Sequence, residues 1–291
     1  MEILIAKNSG FCYGVKRALR LARETRTKNS SQVLTWGELI HNPEVIHQLQ
    51  EQGIRVVRSL SGIKAGDIVI IRSHGVSPEI YRRLRKKKLK LVDATCPIVK
   101  KIQQTVEKIS RKPGEIIIVG NKNHPEIQGL LGYSRGKALV VEDVSQAQGL
   151  PYKKKRTVLA QSTQDGQLFS QIVAALVEKT SELCVFNTIC ESTRVRQEST
   201  AELARQVEAL FIIGGKNSSN TNKLFQISRR ILPRTYFIEE PEEISAEMLQ
   251  GVNKIGLSGG ASTPPEVIKK TETAIKHSFK QNSPQEKVTH D

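Results

Sequence analysis

The chain has 291 residues, of which 38% are hydrophobic and 4% aromatic, and it carries a formal net charge of +16 at pH 7. No apolar run approaches the roughly 20 residues that span a bilayer, and the start MEILIAKNSG lacks the basic and long apolar regions of a signal peptide. We therefore expect a globular, cytoplasmic protein whose cysteines stay reduced and serve metal binding or catalysis rather than disulfides.

Short apolar runs alternate with helix-like segments along the whole chain. The predicted strands are, in chain order, EILIA, QVLTW, DIVII, KLVD, EIIIVG, ALVVE, TVLAQ, CVFNTI, ALFIIGG, YFIEE and KIGLSGG. The predicted helices are VKRALRLARETR, PEVIHQLQEQ, SPEIYRRLRKKK, PIVKKIQQTVEKISR, 165–179, 191–210, NKLFQISRRIL and PPEVIKKTETAIKHSFK. This alternation predicts an α/β fold with mostly parallel sheets.

Three of the four cysteines occur where a predicted strand ends and a predicted helix begins. They are Cys12, Cys96 and Cys190, and about one α/β unit separates each from the next. The pattern predicts three similar α/β lobes that meet at one point, each contributing a thiol. The predicted lobes are 1–95, with the N-terminal strand and Cys12, then 96–189 and 190–280, followed by a polar tail at 281–291.

Three thiolates around one point are typical of an iron–sulfur cluster with one iron left open. Three buried structural thiols are the alternative, because free cysteine is common in protein cores, and the spacing alone favours neither. Cys184 lies six residues before Cys190. On an extended strand, at about 3.3 Å per residue, the two thiols are too far apart to share a cluster, so we predict a core position for Cys184.

Polar residues follow most of the predicted strands. Ligands bind outside the carboxyl ends of strands in open α/β sheets, and helix starts attract phosphate groups. No Walker A or GxGxxG motif is present, which favours a phosphorylated ligand smaller than a nucleotide. Ser218, Thr163 and Ser262 could each simply cap a helix, but in combination with histidines we favour a binding site. The polar strand-end residues are His41, His74, His124, Glu126, Gln161, Ser162, Thr163, Ser218, Ser219, Asn220 and Ser262.

The three strand-end histidines, His41, His74 and His124, suit either donation to a diphosphate or binding of zinc. Glu126 follows His124 by two residues. A nearby anion would raise the pKa of Glu126, keep it protonated and let it act as an acid. The alternative for Glu126 is a first-turn glutamate that interacts with the helix dipole.

Seven short motifs occur in a fixed order, namely GFCYGVKRA, HNP, RSHGV, DATCP, NHPE, KNSSN and GAS. In this combination the chain resembles the 4-hydroxy-3-methylbut-2-enyl diphosphate reductase family of the non-mevalonate isoprenoid pathway, from Met1 to about Lys280. The resemblance implies three α/β lobes around a central [4Fe–4S] cluster, with Cys12, Cys96 and Cys190 as ligands and one iron open to the substrate oxygen. It implies that the residues binding the diphosphate are His41, His74, His124, Ser218, Ser219, Asn220 and Ser262.

The resemblance also implies that Glu126 delivers protons toward the departing hydroxyl group, through a hydroxyl such as that of Ser162. The family usually has two threonines where this chain has Ser162 and Thr163, so the hydrogen bond should survive but the hydroxyl that relays the proton stays open. The implied reaction is a two-electron reductive dehydroxylation that yields isopentenyl and dimethylallyl diphosphates. The sequence contains no flavin or nicotinamide motif, so a separate ferredoxin or flavodoxin is the expected electron donor.

Two other classes of function stay open from the residues alone. A zinc-dependent phosphohydrolase would use the same histidines and cysteines. A nucleic-acid-binding protein would use the basic runs at 82–90 and 153–156, but the low aromatic content makes this interpretation secondary.

Overall fold

The structure is a computed structural model that describes residues 1–282. These residues form three four-stranded sheets in which every pair of neighbouring strands is parallel. The predicted α/β fold with three parallel-sheet lobes is therefore confirmed. Positions 283–291 of the predicted polar tail lie outside the described residues.

The strands are short, and two of the central ones, Ile68–Ile71 and Ala209–Ile213, are apolar and buried along their whole length, as expected where helices cover both faces of a sheet. They are β1 (Glu2–Ile5), β2 (Val33–Trp36), β3 (Ile54–Val57), β4 (Ile68–Ile71), β5 (Lys90–Asp93), β6 (Glu115–Val119), β7 (Ala138–Val141), β8 (Lys153–Ala160), β9 (Thr180–Phe186), β10 (Ala209–Ile213), β11 (Thr235–Ile238) and β12 (Lys254–Gly259).

The helices alternate with these strands. They are α1 (Tyr13–Thr27), α2 (Pro43–Glu51), α3 (Pro78–Lys86), α4 (Pro97–Ser110), α5 (Pro125–Tyr133), α6 (Val144–Gln148), α7 (Gly166–Val177), α8 (Glu191–Ala204), α9 (Ser219–Ile231), α10 (Ala246–Leu249) and α11 (Pro265–Asn282), with a 3-10 turn at Pro241–Glu243. No helix within the described part of the chain combines the length and the apolar character needed to cross a membrane.

The three sheets repeat one strand order. The orders are β3-β2-β4-β5, β7-β6-β8-β9 and β11-β10-β12-β1. In each sheet the first strand of the lobe lies between the second and the third, and the fourth lies outside the third. The N-terminal strand β1 thus fills in the third sheet the edge position that β5 and β9 fill in the other two.

The placement of the N-terminal strand in the first lobe is wrong. In the structure β1 pairs with β12, with Ile3 opposite Ile255. The third lobe would otherwise have only three strands, and β1 supplies the missing edge strand from the other end of the chain. Local sequence pattern does not reveal a pairing between residues this far apart. The other predicted lobe boundaries stay predictions.

Three helices carry the chain from one lobe to the next, and we call α1, α4 and α8 the crossover helices. Each crossover helix follows the edge strand of one sheet and packs in the core of the next sheet. Helix α1 follows β1 and packs against the first sheet, α4 follows β5 and packs against the second sheet, and α8 follows β9 and packs against the third sheet. Examples of shared cores are Leu19 with Ile70, Val106 with Ile118, and Leu203 with Leu210. Each crossover helix begins directly after one of the three strand-end cysteines.

Several elements differ from the prediction. Strand β3 and the helices α5, α6 and α10 were not predicted, because each is short and lacks a clear apolar period. The basic run at 153–156 forms the first half of β8.

The predicted core position of Cys184 is also wrong, since its thiol is exposed on β9. An apolar alternating run does not distinguish an edge strand from a central one.

Candidate active site

A cavity opens where the carboxyl ends of the three sheets meet. It contains about 700 Å³ of space between atoms, counted out to its open mouth. The three predicted cysteine ligands and all the polar strand-end residues except Gln161 line it. The lining residues among them are Cys12, Cys96, Cys190, His41, His74, His124, Glu126, Ser162, Thr163, Ser218, Ser219, Asn220 and Ser262.

The three cysteines form what we call the thiol end of the cavity, and equivalent backbone hydrogen bonds position them. The N–H group of each donates to the carbonyl two residues beyond the third strand of the sheet that it leaves. The pairs are Cys12 to Ala261 (3.1 Å), Cys96 to Ser73 (2.9 Å) and Cys190 to Ser162 (2.9 Å). The threefold repeat of the fold therefore brings three thiols to one place.

All three thiols are reduced, and that of Cys190 lies 3.2 Å from the Ser192 hydroxyl. None of the three caps the helix that it precedes. A Cβ atom on Gly14 would lie 2.7 Å from the Cys96 sulfur and 3.9 Å from the Cys12 sulfur, so this glycine keeps the space between the two sulfurs open. Burial raises the pKa of the Cys96 thiol, and the neighbouring Cys12 and Cys190 raise it further. Three sulfur donors around open space fit an iron–sulfur cluster.

The histidines lie together with the polar residues of the third lobe at what we call the polar end of the cavity. The ring centroids of His41 and His74 are 4.4 Å apart, and those of His124 are 5.4 and 5.2 Å from them. One nitrogen from each ring lies within 4.8 Å of the others. Within residues 1–282, His41 Nε2 and His74 Nδ1 are buried without a hydrogen-bond partner, and His41 Nδ1 lies 3.5 Å from a Glu38 oxygen. Buried polar atoms normally have partners, so these nitrogens point to a ligand.

Burial lowers the pKa of all three imidazoles. It lowers the pKa of His124 to about 3, aided by the charges of His41 and Arg72, and that of His74 well below the usual value. The pKa of His41 is lowered too, by burial above all, although Glu38 opposes the change. The imidazoles are therefore neutral at pH 7 without a ligand, and an anion between them would favour protonation.

Glu126 is only 1% exposed and pairs with Ser162. The Ser162 N–H donates to Oε1 at 2.7 Å, and the Ser162 hydroxyl donates to Oε2 at 2.6 Å. Burial raises the pKa of the Glu126 carboxyl, while the two hydrogen bonds from Ser162 lower it. Burial alone thus favours the protonated form of Glu126, so a nearby anion, the cause expected from the sequence, is not required.

The two hydroxyls that follow β8 have different partners. Ser162 bonds Glu126, whereas the Thr163 hydroxyl lies 2.9 Å from that of Ser219 and accepts from Gln161 Nε2 at 3.0 Å. The bond to Ser219 joins the second lobe to the third. Of the two, the Ser162 hydroxyl is therefore the one in contact with the buried carboxyl.

The third lobe contributes hydroxyl and amide groups instead of imidazoles. Ser218 caps α9, accepting from the Thr221 N–H at 3.4 Å, as the capping alternative predicts. Ser262 caps no helix, and its hydroxyl donates to the His41 carbonyl at 2.8 Å. The Asn220 side chain is buried with neither its oxygen nor its nitrogen paired. The unpaired amide, like the histidine nitrogens, points to a bound ligand.

Sequence reasoning missed two residues at the thiol end. One is Gly14, which leaves room beside the sulfurs, and the other is Arg196, which is buried on α8. A signal for Arg196 existed, because the buried stripe of α8 is largely polar and includes Thr193, Arg196, Gln197 and Thr200. A helix with a polar buried face commonly borders a functional site rather than an apolar core.

Comparisons with known proteins place the chain among well-described relatives. The family model of the LytB protein matches residues 3–276. The 4-hydroxy-3-methylbut-2-enyl diphosphate reductase of Caldanaerobacter subterraneus is 44% identical over 279 residues, covering 95% of this chain and 97% of that protein. The enzyme of the same name from Aquifex aeolicus is 43% identical over 279 residues, covering 94% and 96%.

Two solved structures share the fold. One, of (E)-4-hydroxy-3-methyl-but-2-enyl diphosphate reductase, described as the terminal enzyme of the non-mevalonate pathway, is 42% identical with a TM-score of 0.69, covering 95% of this chain and 100% of that one. The other, of the E-1-hydroxy-2-methyl-but-2-enyl-4-diphosphate reductase from Plasmodium falciparum, is 28% identical with a TM-score of 0.90, covering 94% and 87%.

Proposed function

The chain belongs to the LytB protein family, and we propose that it catalyses the reductive dehydroxylation of 4-hydroxy-3-methylbut-2-enyl diphosphate. The observation that carries the proposal is one cavity with three converging thiols at one end and unpaired buried imidazole and amide groups at the other. The substrate accepts two electrons and two protons, its C–O bond breaks, and isopentenyl or dimethylallyl diphosphate and water leave.

Cys12, Cys96 and Cys190 hold a [4Fe–4S] cluster in this proposal. Their equivalent positions before the crossover helices and the open space beside Gly14 support it. When bound, such a cluster supplies electrons one at a time and an iron that has no protein ligand and can act as a Lewis acid.

The polar end binds the diphosphate group. Neutral His41, His74 and His124 each have one N–H to donate, and Asn220 and the serines Ser218, Ser219 and Ser262 add amide and hydroxyl donors. The unpaired buried atoms of the histidines and of Asn220 support this role. Fixing the diphosphate at one end orients the rest of the substrate toward the thiols, which lowers the entropic part of the barrier.

Glu126 holds the proton that the departing hydroxyl needs in order to leave as water. Its burial, which raises its pKa, supports a role as general acid, and its contacts with Ser162 hold the carboxyl in place. The Ser162 hydroxyl keeps the carboxyl oriented and can relay the proton.

A ferredoxin or flavodoxin delivers the electrons, and the protein works in the cytoplasm. The absence of a flavin or nicotinamide motif from the sequence supports a separate donor. The net charge of +16 supports an acidic one, since opposite charges speed association.

Zinc binding by the histidines is the second candidate, because their nitrogens lie within 4.8 Å of one another. The group of described residues close enough to hold one metal ion consists of the histidines without the cysteines, so a zinc phosphohydrolase would leave the thiols unused. The named relatives, moreover, are reductases. Nucleic-acid binding would likewise leave the cavity without a function.

Purification without oxygen, followed by iron, sulfide and zinc analysis, tests the proposal. We expect a brown protein with about four irons and four sulfides per chain that converts the allylic diphosphate when given a chemical one-electron donor. A protein that remains colourless after reconstitution and contains zinc alone would overturn the proposal.

A further inference from the structure

The arginine at position 196 lies behind the thiol end of the cavity. Arg196 is on α8, and only 2% of its surface is exposed. Its Nη2 donates to the Gly10 carbonyl at 2.6 Å, Nε to the Gly259 carbonyl at 3.4 Å and Nη1 to the Ser192 carbonyl at 3.5 Å. Every acceptor is a neutral backbone carbonyl.

A second buried arginine shows what is missing at Arg196. Arg156 is fully buried on β8, and its Nε forms an ion pair with Glu115 at 2.7 Å. Within residues 1–282 no carboxylate lies within ion-pair distance of Arg196. A buried cation without a counter-charge is costly, so such a group indicates that an anionic species binds nearby.

The position of Arg196 identifies that species. Gly10, which accepts its shortest hydrogen bond, precedes Cys12 by two residues, and Ser192 follows Cys190 by two. The guanidinium thus connects the two segments that carry these cysteines. Burial lowers the pKa of the guanidinium, and negative charge on the Cys12 and Cys190 sulfurs opposes that change.

We infer that Arg196 is a positioning residue whose positive charge offsets the negative charge of the thiolate-ligated cluster and raises the cluster's reduction potential. This inference rests on the cluster proposed above. Each one-electron reduction adds one negative charge to the cluster, and a fixed cation in a low-dielectric region stabilises that charge. Net charge, hydrogen bonds and solvent exposure are the factors by which proteins set such potentials.

The test measures the potential of the loaded enzyme by reductive titration followed by electron paramagnetic resonance. In Arg196→Met we expect the equilibrium constant for one-electron reduction to fall at least tenfold, a shift of about 59 mV to lower potential. Arg196→Lys keeps the charge and should restore more than half of that shift. The matched control is Arg194→Met on the same helix, which should leave the potential unchanged, because Arg194 is exposed and already pairs with Glu191 and Glu198.

Equal potentials in wild type and Arg196→Met, or equal shifts in the methionine and lysine variants, would overturn the inference. Should Arg196→Met fail to load iron, the melting temperature of its cluster-free form decides. If Arg196 is an unpaired buried charge, the cluster-free Arg196→Met variant should be at least as stable as cluster-free wild type. If Arg196 has only a structural role, that variant should be less stable. A wild-type protein that holds no cluster would instead refute the proposed function itself.

Discussion

The two ends of the cavity use the threefold repeat differently. At the thiol end the lobes contribute the same side chain, at the same junction with a crossover helix and with the same backbone hydrogen bond. At the polar end, the position after the first strand of each lobe is occupied by His41, His124 and the Ser218–Asn220 segment. The second lobe alone adds a buried carboxyl, that of Glu126.

The difference follows from what each end has to bind. A cluster held by three thiolates presents three equivalent irons to the protein, so three equivalent positions suit it. An allylic diphosphate has no threefold symmetry, and it needs donors on one side and an acid at a single atom. The three lobes therefore share one arrangement of backbone and side chain at the thiol end, and they carry different side chains at the polar end.

The largest expected effect comes from removing one of the three cysteines at the thiol end. Cys190→Ser should abolish cluster loading and turnover, because two thiolates and a serine do not replace three equivalent ligands. Iron and sulfide content per chain is the measurement. Cys184→Ser is the matched control, since Cys184 is an exposed thiol on β9 outside the cavity and its variant should load normally. Equal loading of both variants would contradict the ligand assignment.

The next largest effect is expected at the polar end, from replacing the carboxyl of Glu126. Glu126→Gln should keep the cluster spectrum but lower kcat by about 10²- to 10⁴-fold, the range for loss of a positioned general acid. Steady-state kinetics with a chemical electron donor measure it. Glu79→Gln is the control, because Glu79 also follows a proline at a helix start but lies exposed on α3. Turnover of the Glu126 variant at the wild-type rate would exclude the acid role.

Replacing Gly14 tests how tightly the thiol end is packed. Gly14→Ala places a methyl group 2.7 Å from the Cys96 sulfur, so the sulfur or α1 must move. We expect about 1–3 kcal/mol of lost stability, the usual cost of overpacking, together with less cluster per chain. Urea unfolding and iron analysis provide the measurements.

Its control is Gly166→Ala at the start of α7, where an added methyl group meets no atom within 4 Å. That variant should keep the wild-type stability and iron content. If both alanine variants behave alike, the space beside Gly14 has no special role.

The smallest effect is a pH dependence at the polar end. The pKa of His124 is about 3 in the folded protein against 6.5 for the free side chain, so the folded state resists protonation. Stability present above pH 6.5 should therefore be lost as the pH falls toward 3, by at most about 1.4 kcal/mol per pH unit for one histidine. Burial raises the pKa of Glu126, so its contribution has the opposite sign and is lost as the pH rises above 4.5.

Urea unfolding of the cluster-free protein at pH 7, 6 and 5 isolates the histidine contribution when wild type is compared with His124→Asn. Asparagine can keep the cap of α5 that His124 provides, so the variant should fold and show a shallower pH dependence. His47→Asn, on the exposed face of α2, should keep the wild-type slope. An unchanged slope in His124→Asn would contradict burial as the source of the shift.

Much of the candidate site could be predicted from the sequence because its signals are local. A strand, a cysteine and a helix follow one another at Cys12, Cys96 and Cys190, and polar residues follow apolar runs at the other strand ends. All the predicted site residues except Gln161 line one cavity. Their roles as ligands, donors and acid stay proposals that the variants above test.

Two of the errors, the placement of β1 and the position of Cys184, share one physical cause. Strand β1 belongs to the third sheet because its partner is β12, and Cys184 is exposed on β9, which is an edge strand of its sheet in the described part of the chain. In both cases the outcome depends on which segments become neighbours, and a local pattern of apolar residues carries no information about that.

By itself the sequence determined the alternating α/β class, the three strand–cysteine–helix junctions and the kind of chemistry at the strand ends, since periodicity and residue type act over a few residues. Tertiary structure alone decided that β1 completes the third lobe, that Ser162 rather than Thr163 bonds Glu126, and that Arg196 is buried without a counter-charge. These features arise between residues distant in the chain, and only the packing of the three lobes brings those residues together.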